Sequence, residues 1–276
     1  MPTPLELLLH PLSFAFFGMY AVLMLWEAIA PARVLPRIAR WRTRGLLAAV
    51  FYFLLSSYLP MLWTQFLLPL QLFDLIHLAW PLGELVGLLV YQACAYAWHR
   101  AIHGNDWLWR FGHQLHHSTE WLDTFSAFWF SPLDTLGWTA VGSLALTVIV
   151  GLSPEATTAA LLAATLLAML THTNVRTPRW LGWFVERPEM HSWHHARGLH
   201  RQNYSELPVF DLLFGTFHNP REFASQTGFH EGGSSRVIEM VMGARRDPRS
   251  SFVKSSWRLR ARRRLWSPLS HEGVIV

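Results

Sequence analysis

The stretch WTAVGSLALTVIVGLSPEATTAALLAATLLAMLTHTN, residues 138–174, decides the fold. It contains no Lys or Arg, and Glu155 is its one acid. The apolar run from 137 to 171 is longer than the roughly 20 residues that one helix needs to cross a bilayer core. It breaks once, at Gly151-Leu-Ser-Pro-Glu155. Ser153 can cap a helix, with Pro154 at its first position and Glu155 beside its positive end. The reading is a tight membrane hairpin of two helices, the second ending at His172.

Composition extends that reading to the whole chain. Of 276 residues, 51% are hydrophobic and 15% are charged, against about 25% charged in an ordinary soluble domain. Residues 1–32, 45–99 and 111–175 hold no Lys or Arg, whereas arginines crowd 33–44 and the region after 236. Basic residues set apart in this way orient a membrane protein and do not make a nucleic-acid surface. Cys94 is the single cysteine, which excludes an intrachain disulfide and a four-cysteine iron–sulfur site. No cleavable leader is recognisable at the N-terminus.

Residues 12–30 and 45–70 make two further spans, the second kinked at Pro60. Five arginines between them read as a cytoplasmic loop. A third span covers about 82–98, and His77 falls in the external turn before it. The expected fold is therefore all-α, a polytopic helical bundle of four or five spans. A cytoplasmic histidine-rich helical cap completes it. Expected domains are 1–79 (N-terminal spans), 80–220 (catalytic region with the hairpin) and 221–276 (a basic tail). In the tail, five arginines stand between Trp257 and Trp266, placed to rest on anionic lipid or to stay solvated.

Every histidine group then lies at or just beyond a cytoplasmic helix end. His99 and His103 are spaced i, i+4. His113, His116 and His117 form one HxxHH run, and His191, His194 and His195 a second; His172 stands alone. Positions i, i+3 and i+4 share a helix face, so each run is expected to aim three imidazoles one way. Nine nitrogens suit two metals with four or five each, where a structural zinc needs only four. Imidazole alone does not choose the metal. A metal centre beneath apolar helices suits a lipid substrate, and iron with O₂ supplies an oxidant able to attack an unactivated C–H bond. Metal-assisted hydrolysis and a bis-histidine haem are the competing readings. However, no HExxH motif occurs, and a haem leaves the triplets unexplained.

The ordered motifs HRAIH (99–103), HQLHH (113–117), THTN (171–174), HSWHH (191–195), NY (203–204) and DLLFGT (211–216) resemble the fatty acid hydroxylase/sterol desaturase superfamily over roughly residues 80–220. That resemblance implies an integral-membrane, non-haem di-iron oxygenase. It would use O₂ to hydroxylate, or alternatively desaturate, a lipid such as a fatty acyl chain, sterol or carotenoid. The resemblance further implies that His99, His103, His113, His116, His117, His172, His191, His194 and His195 ligate two iron ions. Members often carry His-Pro-x-Glu after the first triplet; here Ser131-Pro132-Leu133-Asp134 stands instead.

Four other residues are candidates for supporting the ligands: Asn174, Asn203, Tyr204 and Asp211. Asn174 alternatively caps a helix, and Asp211 alternatively opens a short turn over 212–214. Asn203 and Tyr204 would fix a turn after the last histidines. His200 is a possible tenth ligand, whereas His218 reads as structural. No flavin, nicotinamide or haem-binding motif is visible, so electrons are expected from a separate ferredoxin- or cytochrome-type donor with its reductase. Twenty-two arginines against one lysine suggest a GC-rich bacterial source, and hence an inner-membrane location.

Overall fold

A computed structural model describes residues 1–246. The arginine cluster between Trp257 and Trp266 lies outside the described residues. Among those residues the chain is helical, with no strand beyond one isolated bridge between Ala196 and Thr227.

Five long helices form the bundle. They are α2 (Pro11–Ile29), α3 (Trp41–Leu67), α4 (Trp80–Gly104), α6 (Pro132–Val150) and α7 (Pro154–His172), with a short α1 (Pro4–Leu8) before them. Helices α2, α3, α6 and α7 are long and apolar enough to cross a membrane. At 1.5 Å per residue, the 19 residues of α2 reach about 28 Å, close to the thickness of a hydrocarbon core. The side chains facing out of the bundle are themselves apolar, among them Phe14, Val22, Leu25, Leu47 and Phe66. An apolar exterior of this kind suits lipid rather than water. Helix α4 carries Gln92, His99, Arg100 and His103 and falls outside the four.

The hairpin forms as its sequence predicts. Ser153 Oγ accepts from the Ala156 amide at 3.2 Å, and Pro154 opens α7. Gly151 closes α6 with φ 64°, a conformation that costs glycine little. The last turns of α6, Leu144–Val150, are π-helical, and their carbonyls are shared. Val148 and Ile149 accept from the amides of Leu72 and Phe73, which ties the α3–α4 connection to the hairpin tip.

The opposite end of the bundle carries the cap. It comprises the broken helix α5 (106–117), α8 (Pro188–His194), α9 (Val209–Phe214), α10 (Val237–Val241) and their loops. A buried cluster of Trp41, Trp109, Leu115, Trp129, Phe229 and Met240 welds it to the start of α3. Trp41 Nε1 donates to Asp123 at 2.9 Å, which brings the arginine-rich loop before α3 to the cap end. The domain boundary expected at 221 does not coincide with a gap in packing, since residues 1–246 form one compact unit. Gln114 donates to the carbonyls of Met240 and Ala244, and Arg110 makes two bonds to that of Gly243. The polar composition after 221 concealed these contacts because most of their acceptors are backbone carbonyls.

Candidate metal centre

Helix ends bring nine histidines together at the junction of bundle and cap. Their nitrogens form two groups, each able to hold a metal ion: His99, His103, His113, His117 and His194, and then His116, His172, His191 and His195. All nine are buried. The expectation that each HxxHH run acts as one set of three is corrected here. The first run sends His113 and His117 to the five-histidine group and His116 to the other; the second sends His191 and His195 to the four-histidine group and His194 to the five. Helical geometry gives the reason. At about 100° per residue, i+4 lies about 40° from i on one side and i+3 about 60° away on the other. Two neighbouring centres therefore divide a triplet as i with i+4, leaving i+3 for the second. A π-helical turn over Trp109–His113 precedes the first triplet and sets the direction in which His113 leaves the helix.

Six of the nine rings have the outer nitrogen held by an oxygen acceptor. His99 Nδ1 donates to the Tyr204 carbonyl at 3.0 Å, His103 Nδ1 to that of His200 at 2.8 Å, His194 Nδ1 to that of Gln202 at 2.6 Å and His172 Nδ1 to that of Ala168 at 2.8 Å. Each group also contains one histidine backed by a buried carboxylate. Asp134 lies 2.8 Å from His113 Nδ1, and Glu186 lies 3.2 Å from His191 Nδ1. A carbonyl can only accept, so the proton sits on Nδ1 and Nε2 carries a bare lone pair.

The Nε2 atoms nevertheless crowd one another. His99 lies 3.1 Å from His113 and 3.0 Å from His194, and His172 lies 3.1 Å from His191. Bare lone pairs at that distance repel and are not hydrogen bonds. A cation between them removes the repulsion. Two imidazole nitrogens at right angles on a metal with bonds near 2.1 Å lie about 3.0 Å apart. His117 Nε2 is buried and has no hydrogen-bond partner among the described residues. Burial, followed by the mutual repulsion of the rings, holds His116, His117, His191, His194 and His195 well below the usual histidine range. They are therefore neutral, the form that binds metal. On these observations the residues fit a pair of metal ions. The same spacing leaves no room for a haem plane between opposed rings.

The remaining candidates lie one step further out. Tyr204 supplies its carbonyl to His99, and its ring stands edge-on to His99, His103 and His194. Asp211 accepts from the amides of Tyr204 and Ser205 and from the Thr216 hydroxyl, at 2.8, 3.1 and 2.6 Å. It thus fixes the backbone that holds His99, touching no histidine itself, and it lies inside α9 rather than opening it. Asn203 (φ 47°) ties Met190 to His218, bonding both carbonyls and the His218 amide. Asn174 bonds Arg33 and takes Glu27 on its amide, which anchors the end of α2. His200 sits behind the five-histidine group, with Nδ1 3.1 Å from His117 Nδ1. His77 is an exposed loop residue at the far end, and His218 packs on Trp193.

Sequence reasoning passed over Glu186 as a support for the site. Asp134 was visible only as a departure from a motif, and the structure explains that departure. Ser131 caps α6, accepting from the Asp134 amide at 3.1 Å, while the acid of the motif turns to His113.

A cavity of about 880 Å³ leads from the histidines into the bundle. His99, His113, His116, His172 and His191 line its inner end, and Pro2, Leu7 and His10 line the other. Along α7 its wall runs from Thr157 to His172, about 22 Å at the helical rise. Many lining residues are Ser or Thr, but their hydroxyls are largely turned back. Ser57, Thr64, Thr139 and Thr158 each donate to the carbonyl four residues earlier. What remains is a tunnel with an effectively apolar wall.

An apolar helical bundle holding two histidine groups beneath a cap defines a membrane protein with a candidate two-metal centre. Residues 84–216 match the model of the fatty acid hydroxylase family. Among curated proteins, the ornithine lipid hydroxylase OlsE of Rhizobium tropici is 36% identical over 148 residues, 51% of this chain and 44% of that protein. The chain thus spans less than half the length of this relative. No solved structure matches the chain significantly.

Proposed function

We propose that this protein is a membrane-bound, non-haem di-iron oxidoreductase that hydroxylates a lipid. The observation that carries the reading is the set of facing Nε2 lone pairs at 3.0–3.1 Å, at the closed end of an apolar tunnel. His99, His103, His113, His117 and His194 would hold one iron, and His116, His172, His191 and His195 the other. When bound, the irons supply O₂ activation sufficient to break a C–H bond.

The protein's own groups do the rest. The Nδ1 acceptors fix the tautomer and direction of His99, His103, His113, His172, His191 and His194, so those rings need no reorganisation when a metal enters. The tunnel positions an alkyl segment against the histidines and excludes water from it. Net conversion of R–H and O₂ to R–OH and H₂O consumes two electrons and two protons. The electrons would come from an external ferredoxin- or cytochrome-type donor, drawn to the arginine-rich face. That face, on the loop before α3, lies at the cap end. This supports a cytoplasmic histidine site in a bacterial inner membrane. The relative's name points to an ornithine lipid as the first substrate to try.

The test is iron content and Mössbauer spectroscopy of detergent-purified protein with His194→Ala as control, followed by lipid turnover. Two coupled irons per chain, reduced in the variant, and product that depends on O₂ and reductant are expected. Product formed without O₂ would refute the oxygenase reading.

A further inference from the structure

Glu206 is a half-buried acid with no ion-pair partner among the described residues. The loop around it is pinned by other groups: Asp211 holds the amides of Tyr204 and Ser205, and the Ser205 hydroxyl donates to Gln92 Oε1 at 2.8 Å. The Glu206 backbone carbonyl accepts from the Glu186 amide at 2.8 Å, which places it beside the support of His191. Its side chain lies on the tunnel wall, together with Tyr52, Tyr91, His172 and His191.

No ion pair among the described residues includes Glu206. The charged neighbour that bears on it is another acid, Asp211, and its polar partners are uncharged, its own backbone amide and the Gln92 side chain. Burial first, and then Asp211, push its carboxyl above the usual range. Two other acids near the bundle ends have partners. Glu6, at the far mouth, closes a capping box with Thr3, and Glu27 accepts from Thr124 and Asn174.

An unpaired carboxyl on an apolar wall costs free energy as a carboxylate unless a cation meets it. Without one the group stays protonated, and since Arg and Lys are absent from the tunnel lining, a cation that meets it arrives with the ligand. Resting on the reading that the tunnel takes a lipid, we propose that Glu206 is the anchor for a cationic amine on that lipid, so that the tunnel selects amine-bearing lipids over neutral ones of equal chain length. Position supports the assignment. Gln92, beside Glu206, precedes His99 on α4 by seven residues, nearly the same helix face and about 10 Å along the axis. An amine held there is a short reach from the histidines, and the alkyl chain has the remaining tunnel to fill.

The experiment uses the full chain in a neutral detergent, titrated with hexadecylamine or hexadecanol and followed by thermal shift and calorimetry. Wild type should bind the amine at least about tenfold more tightly than the alcohol, the size of one charge-assisted contact in a desolvated site. Glu206→Gln should abolish that preference and leave alcohol binding and iron content unchanged, whereas Glu206→Asp should keep part of it. Equal binding of the two probes by wild type, or a preference that survives in Glu206→Gln, overturns the proposal. So does a variant that weakens both probes alike, since its effect is then on tunnel shape. If the preference fails while iron binds and lipid is oxidised, this inference falls alone. If wild type binds neither probe, the lipid-tunnel reading falls with it.

Discussion

Replacing Asp134 with asparagine removes a negative charge from behind His113 and alters little else. The two side chains are 2.8 Å apart and essentially excluded from solvent, at 1% and 0% exposure. Asparagine is isosteric, and its carbonyl can still accept from Nδ1, so the ring keeps its tautomer and direction. What disappears is the charge that raises the basicity of Nε2. Losing such an outer partner weakens metal binding by about 10- to 100-fold, or about 1.4–2.7 kcal/mol. Asp134→Ala should do more, because it also leaves a buried N–H unsatisfied at a further cost of about 1–3 kcal/mol. His113 belongs to the five-histidine group alone, so only one of two metals should respond. Iron per chain would be measured against increasing chelator. Wild type should release its metals in its own sequence, and Asp134→Asn should give up one metal at a chelator concentration lower by that factor while holding the second as wild type does. Parallel weakening of both metals, or a release curve identical to wild type, would refute the division into two groups.

Other perturbations probe neighbouring parts of the same argument. Glu186→Gln should mirror Asp134→Asn and loosen the metal of the four-histidine group instead, which double labelling with the two variants can resolve. Thr165 lines the tunnel seven residues, or about 10 Å, before His172. Thr165→Phe should therefore suppress turnover of long-chain lipids more than of short-chain ones while iron content stays constant; equal suppression would count against the tunnel. Asp211 has its carboxyl pushed up to about 6, chiefly by burial. A folded-state value above the unfolded one means that the native chain holds the proton longer. Stability is then lost as pH rises from about 4 to 6, by up to about 3 kcal/mol. Asp211→Asn should flatten that part of the melting-temperature profile, even though it lowers stability overall by losing an acceptor. An unchanged slope would show that Asp211 is ionised throughout.

Much of the fold is legible because the bilayer asks for a length and an apolar composition, and both are local properties of the chain. The hairpin break is legible for the same reason: Gly151, Ser153 and Pro154 each have one conformational preference, and the three agree. The third span read at about 82–98 lies in α4, which is not among the four helices long and apolar enough to cross a membrane, because polar residues that serve the site, such as Gln92, His99 and His103, lower its hydropathy. Residues 221–246 were read as tail because their polarity resembles a solvated segment, yet Phe229 and Met240 are buried in the cap. Two well-placed apolar residues in a polar stretch carry too little local signal.

The sequence by itself determined the chemistry available: nine histidines in four groups at helix ends, with no cysteine or flavin site to compete. It did not determine how they divide. That division follows from the angle of about 100° between the i+3 and i+4 directions, which acts only once two helices face each other across the site. Nor could it show what holds the rings, because four of the acceptors are backbone carbonyls, which every residue has and which no side chain identifies. Asp134, Glu186 and Glu206 look like ordinary acids along the chain. Only the tertiary structure decides which of them backs a histidine and which faces the tunnel with no protein cation as partner, because burial and proximity are properties of packing and not of sequence position.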